Sequence, residues 1–181
     1  MLIPRQAVPS LSVETVAHGH FDLAAQPAQP AARFTMAAFY RGLHCPICAK
    51  YLAELERLLP EFEERGVAVI AISSDAGDRA SAMADKVRAT GLRIGFGLPL
   101  QTAREWGLYV SESRGKTSIG IEEPARFSEP GVFLVRPDGT LYYGAVQTMP
   151  FARPNFTDLV GAIDFAVAHD YPARGEYTGA V

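Results

Sequence analysis

The 181-residue sequence has only two cysteines, no long apolar run and no excess of positive charge. No segment approaches the ~20 consecutive apolar residues of a membrane helix, so a membrane partner is not expected. The formal net charge of −3 gives no reason to expect nucleic acid as a partner. The first residues also lack the apolar segment of a secretory signal. We therefore expect a cytoplasmic protein, in a compartment that keeps thiols reduced.

The order of predicted elements indicates an α/β fold, and the length suits a single domain over residues 1–181. Two buried strands joined by a helix should be parallel, because such crossovers are right-handed. A Pro-Asp-Gly turn between later β-rich runs predicts an antiparallel hairpin. The predicted elements are an N-terminal hairpin within 11–23, a linker at 26–30, a strand at 33–40, a helix at 46–65, a strand at 67–72, a helix capped by Asp75 or Asp78 and running to about 90, a short strand at 95–98, a brief helix at 102–108, a polar loop at 111–126, a hairpin over 132–143 and a helix at 156–169 capped by Asn155.

Both cysteines stand where the first long strand passes into a helix. Cys45 and Cys48 form a Cys-x-x-Cys pair at the predicted helix N-terminus, where unpaired N–H groups and the helix dipole lower a thiol's pKa. The i, i+3 spacing brings the sulfurs within reach of each other, as disulfide chemistry requires. Cys48 is in line with Leu52 and Leu55 and should be the more buried. We expect Cys45 to attack a disulfide substrate and Cys48 to resolve the product; on a peroxide, either cysteine could become the sulfenic acid.

Three other interpretations bear on the pair. His44 precedes Cys45 and, as a cation, would stabilise a thiolate, or it is simply a polar loop residue. A structural zinc site would need four nitrogen or sulfur ligands, and His18 and His20 could contribute only if the N-terminal hairpin folded over the cysteines. A solvated turn is the favoured interpretation of those histidines. We therefore expect neither a metal nor another cofactor.

With these features the chain resembles the thioredoxin superfamily, and most closely its peroxiredoxin-like branch, the alkyl hydroperoxide reductase and thiol-specific antioxidant family. The resemblance rests on the Cys-x-x-Cys pair, the strand end Phe39-Tyr40-Arg41-Gly42, the segment Trp106-Gly107-Leu108, and Val132-Phe133-Leu134-Val135 before Pro-Asp-Gly. It implies a thioredoxin-like fold, with a central mixed β-sheet flanked by helices and an N-terminal β-hairpin.

The site departs from the family pattern in a way that separates two chemistries. Cys48 falls on the peroxide-reactive cysteine of peroxiredoxins, whereas Cys45 falls on their threonine and Arg41 replaces their proline. Their active-site arginine falls near Pro130. Since peroxide cleavage needs hydrogen-bond donors at the oxygens, the loss of both donors disfavours it, unless Arg41, Arg114 or Arg126 substitutes.

Pro130 points instead to disulfide chemistry. Thioredoxins have a cis-proline opening the corresponding strand, and such a proline exposes a backbone edge to an extended substrate. We therefore predict a cis peptide bond at Pro130.

Together these features predict a thiol-based antioxidant oxidoreductase. It would cycle Cys45 and Cys48 between dithiol and disulfide, reduce disulfides or peroxides, and be regenerated by thioredoxin or a small thiol. The sequence leaves open whether the chain forms a homodimer. The alternative is a non-catalytic redox sensor or binding module, in which the same disulfide gates the 111–126 loop. A metal chaperone using both thiols is a third, weaker alternative.

Overall fold

A computed structural model describes residues 2–26 and 32–180, so most of the predicted linker lies outside the described residues. It contains nine strands and four helices in those ranges. In chain order they are β1 (Ser12–Thr15), β2 (His20–Asp22), β3 (Phe34–Phe39), α1 (Pro46–Glu64), β4 (Val67–Ile72), α2 (Gly77–Val87), β5 (Arg93–Phe96), α3 (Leu100–Glu105), β6 (Val110–Glu112), β7 (Arg126–Ser128), β8 (Gly131–Val135), β9 (Leu141–Val146) and α4 (Phe156–Ala168).

Seven of the strands form one mixed sheet in the order β2-β1-β5-β4-β3-β8-β9. The predicted parallel pairing is confirmed, with Phe34 opposite Val67 at the start of β3 and β4. The predicted hairpins are also confirmed, because β1 pairs antiparallel with β2 and β8 with β9. The central mixed sheet and the N-terminal hairpin are those of the predicted thioredoxin-like fold.

The sheet is covered on both faces. The sequence predicts this, because apolar residues occupy both alternating sets of positions in β3. On one face, Met36 and Ala38 contact the core formed with α1, α2 and α4. On the other face, Ala37 and Phe39 contact a smaller core that contains Trp106. No helix in the described residues is both long and apolar enough to span a bilayer.

The local sequence explains why β3 delivers the cysteines to a helix start. Tyr40 still bonds to β4 through its N–H, and the chain then turns, with the Cys45 N–H donating to the Gly42 carbonyl at 3.1 Å. Pro46 opens α1, where its missing N–H costs no hydrogen bond. Gly66 follows the helix at φ +70°, in the left-handed region where glycine is favoured.

Besides shifts of two or three residues in β5 and α3, two segments differ from the predictions. Neither aspartate caps α2: its N-cap is Ala76 and no side chain bonds there, because Asp75 is turned toward the cysteine-bearing turn. That helix also ends earlier than predicted, at Val87, because Arg88 takes a left-handed conformation at φ 54°. The predicted polar loop of 111–126 is flanked by β6 and β7, which pair as a second small sheet, so that residues 113–125 form the connection between these two strands.

Candidate active site

Cys45 and Cys48 are both free thiols at the start of α1. Cys45 is the N-cap residue, and its Sγ accepts a hydrogen bond from the Cys48 N–H at 3.2 Å. Cys45 is 2% exposed and Cys48 is fully buried, so both sulfurs are far less accessible than the sequence predicts for Cys45. Only a small or narrow reactant can reach them without a rearrangement.

Arg153 supplies a positive charge to both sulfurs. Its terminal Nη2 lies 3.0 Å from the Cys48 Sγ and 3.8 Å from the Cys45 Sγ. Its other terminal nitrogen, Nη1, is buried without a hydrogen-bond partner among the described residues. A guanidinium in this position stabilises a thiolate and keeps a free N–H for an oxygen atom beside the sulfurs.

Arg153 lies in the loop between β9 and α4, and contacts with α1 hold this loop in place. The Tyr51 hydroxyl donates to the Pro154 carbonyl at 2.6 Å, and the Arg153 guanidinium lies 5.0 Å above the Tyr51 ring. The Arg153 Nε donates to the Pro150 carbonyl. Tyr51 also stacks on Phe156, the first residue of α4, at 4.1 Å between ring centroids. The loop is therefore anchored to the helix that carries the cysteines.

The pKa values of the two thiols are shifted in opposite directions. The hydrogen bond from Cys48, helped by the backbone N–H of Cys48 and by Arg153, lowers the pKa of Cys45 to about 6 against the opposing effect of burial. Burial, together with the hydrogen bond and the charge of Cys45, raises the pKa of Cys48 well above its ordinary value. Within the pair, these shifts favour Cys45 as the thiolate and Cys48 as the thiol.

Alkylation of the reduced protein should report this thiolate directly. Because the thiolate is the nucleophile, the rate of reaction with iodoacetamide should rise through about pH 6 and level off above it. Tryptic mass spectrometry should find the adduct on Cys45. A single alkylation step centred near pH 8.5, the value of an ordinary free cysteine, would contradict the assignment.

The turn before Cys45 is fixed by a buried carboxylate. One oxygen of Asp75 accepts the Leu43 N–H at 2.7 Å, and the other accepts from the Arg79 Nε at 2.9 Å. Gly42 passes this carboxylate with φ +139°, so close that an added Cβ would stand 2.6 Å from an Asp75 oxygen. Only glycine meets both the backbone conformation and the contact.

Gly42→Ala should therefore cost more stability than an alanine at an open glycine. Backbone strain plus the clash with Asp75 should lower the free energy of unfolding by about 2–4 kcal/mol. Gly97→Ala is the matched control, since Gly97 also has a positive φ but no atom of the described residues within 4 Å of the added Cβ. Urea denaturation of both variants measures the difference; equal losses would show that the Asp75 contact is unimportant.

His44 does not act as the expected cation. Its ring is fully buried, 4.6 Å from the Phe127 ring, and burial together with the charge of Arg41 lowers its pKa to about 4. The imidazole is therefore neutral at neutral pH, and the prediction that it stabilises a thiolate by charge is wrong. Arg153 provides that charge instead.

The predicted cis peptide bond at Pro130 is also wrong, because every peptide bond in the described residues is trans. Pro130 is buried and directly precedes β8. Its carbonyl accepts the Gln147 N–H at 3.0 Å, so the backbone edge offered to a substrate in thioredoxins is paired within the protein at this carbonyl. Nothing in these contacts brings Pro130 to the sulfurs.

None of the three arginines considered from the sequence replaces the missing donor. Arg41 forms ion pairs with Glu123 and Glu129. Arg126 is two-thirds exposed and pairs with Glu112, and Arg114 is exposed. The sequence therefore indicated the need for an arginine without identifying the one that contacts the cysteines.

The N-terminal histidines lie away from the cysteines in the sheet. His20 is in β2, at the sheet edge, and its ring bonds to Ser12 and Glu14. Across residues 2–26 and 32–180, no group of three or more His, Cys, Asp or Glu side chains is arranged to hold a metal ion.

Comparison with known proteins gives a family match over most of the chain. The family model described as AhpC/TSA family matches residues 4–144. A curated relative, a 1-Cys peroxiredoxin of Onchocerca volvulus, is 28% identical over 127 residues, which are 66% of this chain and 54% of the relative. The chain thus spans about half the length of that relative.

Solved structures support the fold alone, because their sequence identities are low. An AhpC of Enterococcus faecalis superimposes with a TM-score of 0.71 at 15% identity, covering 94% of this chain and 97% of its own. A mitochondrial 2-Cys peroxiredoxin of Plasmodium falciparum gives 0.71 at 15% identity, covering 93% and 96%. The peroxidoxin BcpB of Mycobacterium tuberculosis gives 0.69 at 17% identity, covering 92% and 99%.

Proposed function

Because the chain belongs to the AhpC/TSA family, we propose that it reduces peroxides with the Cys45–Cys48 dithiol. The observation that carries the proposal is the Arg153 guanidinium, which lies 3.0 and 3.8 Å from the two sulfurs. It can donate a hydrogen bond to a peroxide oxygen, and so replaces the donors that the family's sequence pattern has and this sequence lacks. Within this proposal Cys45 is the attacking thiolate and Cys48 the resolving thiol, because the N-cap position and the hydrogen bond from the Cys48 N–H favour negative charge on Cys45.

The proposed reaction balances without a cofactor. The Cys45 thiolate attacks the terminal oxygen of the peroxide, so that an S–O bond forms and the O–O bond breaks. The departing alkoxide or hydroxide is stabilised by Arg153 and takes the proton of the Cys48 thiol. The Cys48 thiolate then attacks the sulfenic sulfur, forms the disulfide and expels hydroxide, which leaves as water with a proton from solvent. The dithiol has lost two electrons to the peroxide.

Burial of the sulfurs favours a peroxide over a protein disulfide as oxidant. Cys45 is 2% exposed and Cys48 is fully buried, whereas attack on a disulfide requires its sulfur to approach the thiolate directly. The trans bond before Pro130 also removes the feature that favoured an extended disulfide substrate. A peroxide needs only a narrow approach to one sulfur.

Regeneration requires an external dithiol or two equivalents of a small thiol. Exchange at the Cys45–Cys48 disulfide would return the reduced pair, with thioredoxin or a small thiol as the reductant. Within this proposal the chain acts as one domain in the cytoplasm, and a homodimer is compatible with it. Size-exclusion chromatography with light scattering tests the dimer, which a monomer at micromolar concentration would exclude.

The proposal is tested by stopped-flow mixing of reduced protein with hydrogen peroxide. Thiolate absorbance at 240 nm should fall at a rate proportional to peroxide concentration and far above that of free cysteine at the same pH. Insulin disulfides, mixed under the same conditions, should be reduced slowly. Fast exchange with insulin and inertness to peroxide would instead assign the protein as a disulfide reductase.

A redox sensor is the second candidate function, and one contact favours it. His44, adjacent to Cys45, packs on Phe127 of β7 at 4.6 Å, so a change at the cysteines can reach the 110–128 hairpin. A sensor would show no turnover with any thiol reductant, yet would release a bound partner on oxidation. Multiple turnovers with dithiothreitol and peroxide would exclude a purely non-catalytic role.

A further inference from the structure

Arg41 occupies a buried ionic site that the proposed reaction does not use. Its Nη2 lies 3.3 Å from Glu123 and its Nε lies 3.5 Å from Glu129. Both glutamate side chains are only 7% exposed. The guanidinium also lies 4.6 Å above the Phe127 ring. Charged side chains this buried are costly unless they are paired, so the arrangement calls for a specific role.

The two carboxylates are held by the hairpin rather than by the cysteine-bearing turn. The Ser111 hydroxyl donates to Glu129 at 2.6 Å, and the Arg114 N–H donates to Glu123 at 2.7 Å. Their positions are therefore set by β6, β7 and the connection between these strands. Arg41, in contrast, belongs to the turn that ends at Cys45, where the Cys45 N–H donates to the Gly42 carbonyl.

The same hairpin reaches the turn at two further points. The Phe127 ring contacts both the Arg41 guanidinium and the His44 ring, each at 4.6 Å. The Glu122 carbonyl accepts from Arg79, whose guanidinium also lies 3.4 Å from the His44 Nδ1. The turn that carries Cys45 is thus in contact with the 110–128 hairpin through Phe127, and is linked to it through Arg79 of α2.

We propose that Glu123 and Glu129 are positioning residues that hold Arg41 beside the cysteine-bearing turn and neutralise part of its charge, thereby setting the reactivity of the Cys45 thiolate. The inference rests on the proposed function only in taking Cys45 as the attacking thiol.

The charges around Arg41 predict in which direction each substitution should change the reactivity of Cys45. Arg41 adds to the positive field that favours the Cys45 thiolate, alongside Arg153. Two carboxylates face this one cation, and within the described part of the chain the Glu129 Oε2 and Arg41 Nε have no hydrogen-bond partner although they lie 3.5 Å apart. The Glu129–Arg41 interaction is therefore mainly coulombic, whereas Glu123 also accepts a hydrogen bond from the Arg41 Nη2 at 3.3 Å. Removing either carboxylate should leave Arg41 with more of its charge unopposed.

Charge-neutral variants of similar shape test this direction. Glu123→Gln and Glu129→Gln should each lower the apparent pKa of Cys45, raising the iodoacetamide reaction rate at pH 5 by about two- to threefold. Arg41→Met should change the rate in the opposite direction, by a similar factor. Loss of packing alone would not produce opposite signs on the two sides of one ion pair.

The control is Glu112→Gln, which breaks the exposed Glu112–Arg126 pair on the same small sheet at 3.6 Å and should leave the rate unchanged. If Arg41→Met fails to fold, the two glutamine variants still decide the matter. Unchanged or slower alkylation in both would overturn the proposal, as would the same sign in all three variants. Alkylation requires no peroxide, so failure here is separable from failure of the peroxidase assignment.

Discussion

Cys45→Ser should react with hydrogen peroxide at least about a hundredfold more slowly than the wild-type protein at pH 7. The remaining thiol, Cys48, is fully buried, and burial raises its pKa, so its thiolate fraction should stay below the few per cent of an ordinary cysteine at pH 7. Cys48→Ser should instead keep the rate within about tenfold, because a serine hydroxyl can still donate a hydrogen bond to the Cys45 thiolate. Stopped-flow kinetics at several peroxide concentrations measures both rates.

The products of the two variants should also differ. With Cys48→Ser the sulfenic acid has no resolving partner, so a dimedone adduct should accumulate on Cys45. Ungapped matching with peroxiredoxins places Cys48 at the peroxide-reactive position and so predicts the opposite outcome. A fast Cys45→Ser variant with dimedone on Cys48 would reverse the roles of the cysteines.

Arg153→Met should lower the peroxide rate constant by about 10²- to 10³-fold, the usual loss on removing one donor to a developing anion. The variant loses the bond to the departing oxygen and the charge that favours the thiolate. Its apparent thiol pKa should rise, which a pH series of alkylation rates measures. At saturating pH, where the thiolate is fully formed, most of the loss in peroxide rate should persist.

Two further variants make the Arg153 result specific. Arg153→Lys keeps the charge but not the planar pair of donors, so it should restore the thiol pKa more fully than the peroxide rate. Arg126→Met removes an exposed arginine and should change neither quantity. A peroxide rate for Arg153→Met within threefold of wild type would remove the guanidinium from the mechanism.

Much of the fold could be predicted because its signals are local. The stripe of apolar residues in α1, Pro46 at its start and Gly66 after its end each act within a few residues. The Pro-Asp-Gly turn likewise defines the β8–β9 hairpin. The start of α2 could not be predicted the same way, since Asp75 satisfies the Leu43 N–H, 32 positions away, rather than a helix terminus.

The site was predictable only in the part contiguous in sequence. Cys45 and Cys48 are recognisable from their spacing. Arg153, in contrast, lies more than 100 positions later, in a loop whose only sequence signal is its prolines. Its role depends on Tyr51 holding that loop against α1. A tertiary contact of this kind leaves no periodic or spacing signal.

The expectations for His44 and Pro130 failed for related reasons. Adjacency to Cys45 suggests an exposed, titrating imidazole, but Phe127 and the arginines nearby make the ring buried and neutral. The position of Pro130 before β8 matches thioredoxins, but the isomer of its peptide bond depends on surrounding packing. The position of a residue in the sequence identifies its neighbours along the chain, but not the residues that pack around it in the fold.

The central claim is that one peroxide molecule converts the two thiols into one intramolecular disulfide. Reduced protein should be treated with one equivalent of hydrogen peroxide, blocked with iodoacetamide and weighed by intact mass spectrometry. We expect both thiols to be lost together, a product about 2 Da lighter than the reduced chain, and a Cys45–Cys48 cross-linked peptide after digestion. Retention of both alkylatable thiols, or a product carrying an added oxygen with no cross-link, would contradict the account.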